Sequence, residues 1–281
     1  MLPTFIIAGP PKAGTSSLQH YIDVHPDIYI PDGEAHFFCE HYDQGPDYYK
    51  DFFKGWSNQK AVGEKTPCYF YRTDVPARIK NLIPDIKLLF IYRNPIDRAY
   101  SQYWHNVRRG VENDTFEVAI KKEIKREQNI SSLSERIQTF FKNEPGLFSY
   151  VSIGQYAEHI KRWEDTFDKS QMFHIVLEDL NHSALHDVLR FLKVNDDFAF
   201  GDLKKKFNVG GRPRSIWLMK ATRRFEYVKP FHDGFDRFLN FKRGEYPTMD
   251  PSLRKYLGAY FSPYNEEFET VTGLSVKKWK Q

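Results

Sequence analysis

The stretch FIIAGPPKAGTSSL, residues 5–18, joins a short apolar run to a glycine-rich turn and then to residues with helical spacing. The apolar run 5–8 is β-branched and aromatic, and the Gly-Pro-Pro that follows predicts a buried strand ending in a tight turn. From Thr15 onward the pattern predicts a helix. A strand, a glycine turn and a helix in this order direct backbone N–H groups and a helix N-terminus at an anion.

Further apolar runs of strand length are continuous rather than alternating, which is typical of parallel strands buried on both faces. They lie at residues 28–30, 87–92 and 172–177. Helical patterns separate them, at 15–24, 74–82, 96–107, 115–126, 153–167 and 185–192, with another at 251–268. This alternation predicts an α/β fold with a mainly parallel central sheet flanked by helices. Residues 127–150 are interpreted as a surface excursion, and residues 207–246 as loop with short helices.

The composition is that of an ordinary globular chain, with 41% hydrophobic and 28% charged residues among 281. A net charge of +4 is too small to indicate a nucleic-acid partner, although it allows a local basic pocket. No run of 18 apolar residues occurs, so no membrane span is expected. The first apolar run is too short for a signal peptide, so the chain as given predicts a cytoplasmic protein.

The two cysteines, Cys39 and Cys68, are too few for a disulfide scaffold or a four-cysteine zinc site, and we interpret them as buried thiols. Glu34, His36 and His41 form another possible set of metal ligands. Its spacing fits no standard metal site, so no metal is predicted.

The turn after the first strand differs from the loop that binds Mg-ATP. Gly9 and Gly14 have the spacing of the G-x4-G-K-[ST] pattern, but Thr15 stands where the lysine should be, and the loop's lysine, Lys12, comes earlier. No Walker-B aspartate is evident, since the run 87–92 ends in Arg93. The simpler alternative is a Ser/Thr N-cap after an ordinary turn. Lysine, glycine and three hydroxyls at one helix end favour a phosphate site instead.

A second candidate half-site follows the run 87–92 and reads RNPIDRAYS, residues 93–101. Arg93 would lie at the carboxyl end of a parallel strand, where open α/β sheets bind ligands. Ser101 lies two turns into the next helix, so both side chains could reach one phosphate. The alternative for Arg93 alone is a structural salt bridge.

Taken together, these motifs resemble the sulfotransferases that use 3′-phosphoadenosine-5′-phosphosulfate, the donor PAPS. Within them the chain is most similar to the heparan sulfate and other carbohydrate-type enzymes and their microbial relatives. The matching segments are PKAGTSSL (11–18), HP (25–26), EAHFF (34–38), GEKTPCYF (63–70) and RNP with RAYS (93–101). Residues 210–215 and 273–279 echo the family more weakly. The resemblance implies a single P-loop-like sulfotransferase domain over residues 1–281.

The resemblance also implies a role for each matching residue. The loop would hold the 5′-phosphosulfate through Lys12, Ala13, Gly14, Thr15, Ser16 and Ser17. Arg93 and Ser101 would hold the 3′-phosphate, and Arg212 would close over the far side of the nucleotide. Glu34 matches the proposed general base, Lys65 lines the acceptor pocket, and His36 stands beside the base.

The chemistry of sulfuryl transfer is consistent with these roles. The reaction is an in-line displacement in which charge builds on the leaving oxygen, so a cation such as Lys12 stabilises the departing 3′,5′-bisphosphate. The acceptor needs a base, and we expect desolvation beside Phe37 and Phe38 to raise the pKa of Glu34. No metal is required. Structural roles remain the alternatives for Glu34, His36 and Lys65.

Two departures from the family pattern fall in the acceptor pocket: Gly33 replaces a common lysine, and Cys39 replaces a common aspartate. The C-terminal cysteine pair and the membrane anchor of the animal heparan enzymes are missing. The acceptor is therefore left open among a glycan hydroxyl, a glycolipid, a small alcohol and a carrier-bound acyl chain, and an amine is a further option. Six aromatic residues are candidate sugar-stacking walls or, alternatively, core: Trp56, Tyr69, Tyr71, Tyr103, Trp104 and Trp217.

The leading hypothesis is an enzyme that transfers a sulfuryl group from PAPS to such an acceptor. One alternative is a P-loop nucleotide or metabolite kinase, which would need a lysine after Gly14. The other is a non-catalytic nucleotide- or glycan-binding module, which would tolerate loss of Glu34. The sequence does not give the oligomeric state.

Overall fold

The computed structural model describes residues 1–128, 130, 148–203, 211–213, 215, 241–244 and 246–280. The strands are β1 (Phe5–Ile7), β2 (Ile28–Tyr29), β3 (Ala61–Lys65), β4 (Lys87–Tyr92), β5 (Met172–Val176), β6 (Gly211–Pro213) and β7 (Phe241–Arg243). The α-helices are α1 (Thr15–Ile22), α2 (Gly45–Asp51), α3 (Val75–Leu82), α4 (Pro95–Arg108), α5 (Phe116–Glu127), α6 (Tyr156–Glu164), α7 (His182–Leu192) and α8 (Pro251–Thr272).

Five strands form a central sheet in the order β2-β3-β1-β4-β5, and every neighbouring pair is parallel. The predicted α/β class with a mainly parallel sheet is confirmed. Strands β6 and β7 form a separate antiparallel pair. Because β1 lies in the middle of the five-stranded sheet with β3 and β4 beside it, the loops after these three strands meet at one edge.

Both faces of the sheet are buried, as the continuous apolar runs predicted. Ile6 of β1 faces a core that includes Trp163 of α6 and Phe268 of α8. Its neighbours Phe5 and Ile7 face a second core, built with Leu18 of α1 and with α7. Alternate residues of one strand thus enter opposite cores, which fixes the strand's rotation and the direction in which its following loop leaves the sheet.

Strand β3 was not predicted, because its sequence AVGEK contains a glycine and two charged residues. Gly63 is required there, because the ring of Phe5 comes within 2.1 Å of the position that a Cβ atom would occupy. Glu64 is fully buried and accepts hydrogen bonds from the hydroxyls of Tyr49 (2.6 Å) and Thr66 (2.5 Å). These neighbours bury Glu64 and satisfy its hydrogen bonds, which the sequence of the strand alone does not indicate.

The predicted elements otherwise agree with the structure to within a few residues, although the helix expected over 153–167 is shorter at both ends. The excursion predicted over 127–150 and the loops predicted over 207–246 fall mostly outside the described residues. Among the described residues, no helix has both the length and the apolar character needed to cross a membrane.

Candidate active site

The phosphate-loop candidate, residues 9–14, leaves β1 and enters α1 through a turn closed by a hydrogen bond from the Ala13 N–H to the Pro10 carbonyl, 3.2 Å. Lys12 and Gly14 both have positive φ, 67° and 106°. The N-cap of α1 is Gly14, and in this described part of the chain no side chain caps the helix. The Ser/Thr N-cap alternative is therefore wrong, and no side-chain cap from the described residues occupies the first N–H groups of α1, which an anion could use.

Lys12 lies in a cluster of positive charge. Burial, followed by the charges of Arg108, Arg93 and Lys65, lowers the pKa of Lys12 to about 8. A guanidinium nitrogen of Arg93, at the end of β4, donates to the backbone carbonyl of Lys12 over 3.5 Å. The fold therefore brings together Lys12 and Arg93, the two predicted donor-site cations. Nearby negative charges do not fully balance their positive charge.

Arg98 is a residue whose role the sequence reasoning missed, although it stands in a quoted motif. It is fully buried and donates to the Pro11 carbonyl (3.4 Å), to Gln102 Oε1 (2.6 Å) and to the Tyr150 carbonyl. It thereby ties the phosphate loop to α4. The one available signal was an arginine at a buried position of the helical pattern.

Two further residues of α4, His105 and Arg108, belong to the same basic region and were also missed. Arg108 donates to Nδ1 of His105 over 3.0 Å. Burial first, and then the charges of Lys12 and Arg108, lower the pKa of His105 to about 3, so this imidazole stays neutral. Their local sequence does not indicate that they belong to this region, because only the direction of α4 brings them near the loop.

The predicted acceptor-side residues form a connected group next to the phosphate loop. The ammonium of Lys65, at the end of β3, lies 2.6 Å from Glu34 Oε1 and 3.5 Å from the hydroxyl of Ser16. Nε2 of His36 lies 3.3 Å from the other oxygen of Glu34. Lys65 is 8% exposed, so its charge acts with little screening by solvent.

The expected rise in the pKa of Glu34 is wrong. Burial alone would raise the pKa, but hydrogen bonds from His36 and Lys65 and the charge of Lys65 outweigh it, and the net direction is downward. The pKa of His36 is raised to about 10, first by its contact with Cys39 and then by Glu34. At neutral pH the group therefore consists of a carboxylate between two cations.

A cavity of about 460 Å³ opens beside this group. Ser16, Glu34 and Lys65 line it, and Asp23 and Asp32 add acidic walls. It connects the helix that begins at the phosphate loop with the candidate base. A substrate lying in it would contact both.

The remaining predicted residues are placed less completely. Thr15 and Ser101 are buried at 4% and 6% exposure, in α1 and α4 respectively. The backbone of Arg212 lies in β6, which packs beside α4, and its side chain is outside the described residues. Trp217 also lies outside them. Four of the candidate stacking residues are core instead, with 9% exposure or less: Tyr69, Tyr71, Tyr103 and Trp104.

Comparison with known proteins identifies the family to which the chain belongs. The sulfotransferase domain family matches residues 2–199, which is more than half of the chain, so the chain belongs to the sulfotransferase family. The family predicted from the motifs is confirmed.

Three particular relatives show how far the likeness extends. Human heparan sulfate glucosamine 3-O-sulfotransferase 3B1 is 28% identical over 289 residues, covering 97% of this chain and 64% of the relative. Human heparan sulfate glucosamine 3-O-sulfotransferase 5 is 30% identical over 281 residues, covering 98% and 73%. The chain thus spans less than two thirds of the first relative. A crystal structure of a sulfotransferase from Alicyclobacillus acidocaldarius matches with a TM-score of 0.73 and 27% identity, over 100% of both chains.

Proposed function

We propose that the protein transfers the sulfuryl group of PAPS to a hydroxyl or amine of a glycan or other small acceptor, by in-line displacement with Glu34 as general base. The observation that carries the proposal is the cluster of cations around Lys12, next to a carboxylate that faces a cavity. The cluster suits a donor with several negative charges, and the carboxylate suits an acceptor that must lose a proton.

The donor site would use the two loops at the carboxyl ends of β1 and β4. The backbone from Lys12 to Ser17 and the start of α1 would hold the 5′-phosphosulfate, with the Lys12 ammonium facing the leaving group. Arg93 and Ser101 would hold the 3′-phosphate, and Arg212 would close the far side. The lowered pKa of Lys12 supports this assignment, because an anionic ligand would supply the charge that its surroundings lack.

Glu34 is a better candidate for the base than His36. With its raised pKa, His36 already carries a proton at neutral pH and has none of the accepting capacity that a base needs. Its contact with Glu34 instead holds that carboxylate ionised and oriented, and Lys65 does the same from the other side. Glu34, oriented by His36 and Lys65, would take the acceptor's proton as sulfur–oxygen bond formation proceeds.

The acceptor class is proposed from the cavity and from the relatives. Relatives named for heparan sulfate glucosamine favour a glycan acceptor. However, Asp23 and Asp32 give this cavity acidic walls, and Gly33 supplies no cation there, so a neutral or less anionic acceptor suits it better than a polyanionic chain. A glycolipid, a small alcohol and a carrier-bound chain remain within the proposal. No metal or nucleic acid takes part.

We also retain the prediction of one domain over residues 1–281. Its support is that the C-terminal helix α8 packs against α6 and α4, so the last part of the chain shares the core of the first. The extent of the family match, residues 2–199, covers the sheet and the proposed donor loops.

The direct test is a thermal-shift measurement with adenosine 3′,5′-bisphosphate and, separately, with ATP and Mg²⁺. Preferential binding to the folded state raises the melting temperature, so the bisphosphate alone should stabilise the protein. Stabilisation only by ATP with Mg²⁺ would favour the kinase alternative. A screen of acceptors with sulfur-labelled donor then tests transfer, and binding without transfer to any acceptor class would favour a non-catalytic module.

Arg93→Ala provides the matched test of the donor site. The variant should bind adenosine 3′,5′-bisphosphate about tenfold to a hundredfold more weakly, since a charge-assisted contact contributes about 1.5–3 kcal/mol. For adenosine 5′-phosphate, which lacks the 3′-phosphate, wild type and variant should differ little. Equal losses for both ligands would remove Arg93 from that role. Arg190→Ala, on the exposed side of α7, is the control and should leave both affinities unchanged.

A further inference from the structure

Two cysteines lie against each other at the acceptor end of the site. Cys39 stands in the helical turn Phe37–His41, just after His36, and Cys68 in the turn Pro67–Phe70, just after β3. Their sulfur atoms are 2.6 Å apart. The sequence contains two cysteines in total, so any disulfide within this chain must join these residues.

The distance between the two sulfur atoms is closer to that in a disulfide than to that between two thiolates on one metal ion. Nδ1 of His36 lies 3.6 Å from each sulfur, which makes the three side chains a possible ligand group. Two thiolates on one tetrahedral zinc ion, with Zn–S bonds of about 2.3 Å, would be about 3.8 Å apart. A disulfide bond is about 2.05 Å long. The observed separation requires the sulfurs to approach slightly for a disulfide but to move well apart for a metal.

The surroundings give the two sulfurs different chemical characters. The pKa of Cys39 is lowered, first because the Cys68 thiol donates to it and then because His36 does. The pKa of Cys68, which is the less buried of the two, is raised, first because its proton is shared with Cys39 and then by desolvation. A thiolate next to a protonated thiol is the arrangement in which one cysteine attacks an oxidant and the other resolves the product.

We propose that Cys39 and Cys68 are a redox-active pair that forms a reversible disulfide, with a hydroperoxide as oxidant and a small dithiol as reductant. The Cys39 thiolate attacks the distal oxygen of the hydroperoxide. The O–O bond breaks, Cys39 becomes a sulfenic acid, and hydroxide or alkoxide leaves. The Cys68 sulfur then attacks Cys39, the sulfenic oxygen leaves as water with the Cys68 proton, and the S–S bond forms. Two electrons pass from the cysteines to the peroxide.

The position of the pair links it to the proposed base. His36 contacts both sulfurs through Nδ1 and Glu34 through Nε2. Disulfide formation removes the negative sulfur that faces the imidazolium, while the phosphate loop is left untouched. The disulfide would therefore act on the acceptor end and spare donor binding. This consequence rests on the proposed function, whereas the disulfide itself does not.

The test uses the purified chain and hydrogen peroxide at neutral pH. Intact-mass spectrometry should show the loss of two hydrogens, thiol titration should fall from two to none, and digestion should link the peptides that contain Cys39 and Cys68. Dithiothreitol should reverse all three changes. With Cys68→Ser, the sulfenic-acid probe dimedone should label Cys39. With Cys39→Ser, labelling of Cys68 should be at least tenfold slower. Stabilisation by adenosine 3′,5′-bisphosphate in both variants shows that they are folded.

Three results would overturn the proposal. The first is two unreacted thiols in the folded chain after a peroxide treatment that oxidises the urea-unfolded chain. The second is faster labelling of Cys68 than of Cys39. The third is a native mass with one bound zinc ion that protects both thiols. Failure of the bisphosphate to stabilise even the reduced wild-type chain would count against the proposed function and leave the disulfide result standing.

Discussion

Lys12 is a buried cation among other cations, and its pKa of about 8 lies in a range that binding experiments can scan. If Lys12 binds the donor as proposed, a nucleotide polyanion should favour the ammonium form and raise the pKa of Lys12 in the complex above that in the free protein. Affinity for adenosine 3′,5′-bisphosphate should therefore be level between about pH 7, where the phosphates of the ligand are ionised, and pH 8. Above pH 8 it should fall by up to about tenfold per pH unit. Calorimetric titrations at a series of pH values measure this directly.

Lys12→Arg separates this effect from other pH-dependent changes. A guanidinium stays charged throughout the range, so the variant's affinity should not fall as the pH rises. Its absolute affinity is not the criterion, because the two side chains differ in shape. A fall of equal steepness in wild type and variant would mean that another group titrates.

If Glu34 is the base, its substitution should separate chemistry from donor binding. Glu34→Gln should lower sulfuryl transfer by about a hundredfold to ten-thousandfold, the range for a positioned base, and leave bisphosphate affinity nearly unchanged. In the wild type, the rate should fall as the pH drops through the pKa of Glu34. Because His36 and Lys65 hold that pKa below the usual carboxylate range, the fall should come at a lower pH than for an ordinary glutamate.

Glu40→Gln is the matched control, since Glu40 also faces His36, from a distance of 3.3 Å, but lies outside the cavity lining. It should change the transfer rate little. If Glu34→Gln transfers at the wild-type rate, or if Glu40→Gln loses as much, the base has been assigned to the wrong carboxylate.

How far the site could be predicted depends on where each residue's partners lie. Glu34 and Lys65 were predicted from motifs, and the fold brings them within hydrogen-bond distance. The direction of the Glu34 pKa shift was not predictable, because it depends on Lys65, which comes from a distant strand, and on the charge of His36, which depends on its own neighbours. The role of Arg98 depends on carbonyls at Pro11 and Tyr150, which are far apart in sequence.

At the scale of elements, β1 and β4 were predictable because they are central parallel strands and therefore almost wholly apolar. Strand β3 was not, although it lies beside β1. Its charged residues have polar partners at its carboxyl end: Glu64 accepts hydrogen bonds from Tyr49 and Thr66, and Lys65 donates to Glu34. These polar residues interrupt the apolar pattern by which a buried strand is recognised in a sequence.

The phosphate loop depends on the left-handed backbone of Gly14, with φ of 106°, where α1 begins. Gly14→Ala should distort the loop, since a Cβ there is strained and would lie 2.8 Å from Leu177 Cδ1. The strain costs about 1–3 kcal/mol. If the loop relieves it by moving, bisphosphate affinity should fall by about tenfold or more. Calorimetry and thermal unfolding together measure both quantities.

Gly273→Ala is the matched control for this element. Gly273 also has a left-handed backbone, with φ of 71°, but it ends α8 and nothing lies within 4 Å of its would-be Cβ. It should lower stability by a similar amount without weakening bisphosphate binding. Loss of affinity in both variants would mean that the effect of Gly14→Ala comes from general destabilisation.

At the scale of the whole molecule, the C-terminal segment packs against the proposed donor half of the sheet edge. The Trp279 ring packs on Phe268 and Tyr156, with centroids 5.3 Å and 5.9 Å away. Its indole N–H donates to Glu178 Oε2 over 3.0 Å, and its carbonyl accepts from the Asn94 side chain over 3.2 Å. Asn94 follows Arg93 directly, so residues 185 positions apart hold one loop.

Trp279→Ala should therefore destabilise the protein by about 3–5 kcal/mol, the usual cost of removing a buried tryptophan. It should also reduce the stabilisation by adenosine 3′,5′-bisphosphate, because the loop that carries Arg93 loses its anchor. Trp279→Phe keeps a ring but leaves Glu178 Oε2 without the indole donor, at a cost of about 1–3 kcal/mol. Urea unfolding with and without the nucleotide measures both effects.

Tyr256→Ala, at an exposed position of α8, should change neither. If Trp279→Ala lowers stability but keeps the full nucleotide effect, the C-terminal segment supports the core alone and not the donor site.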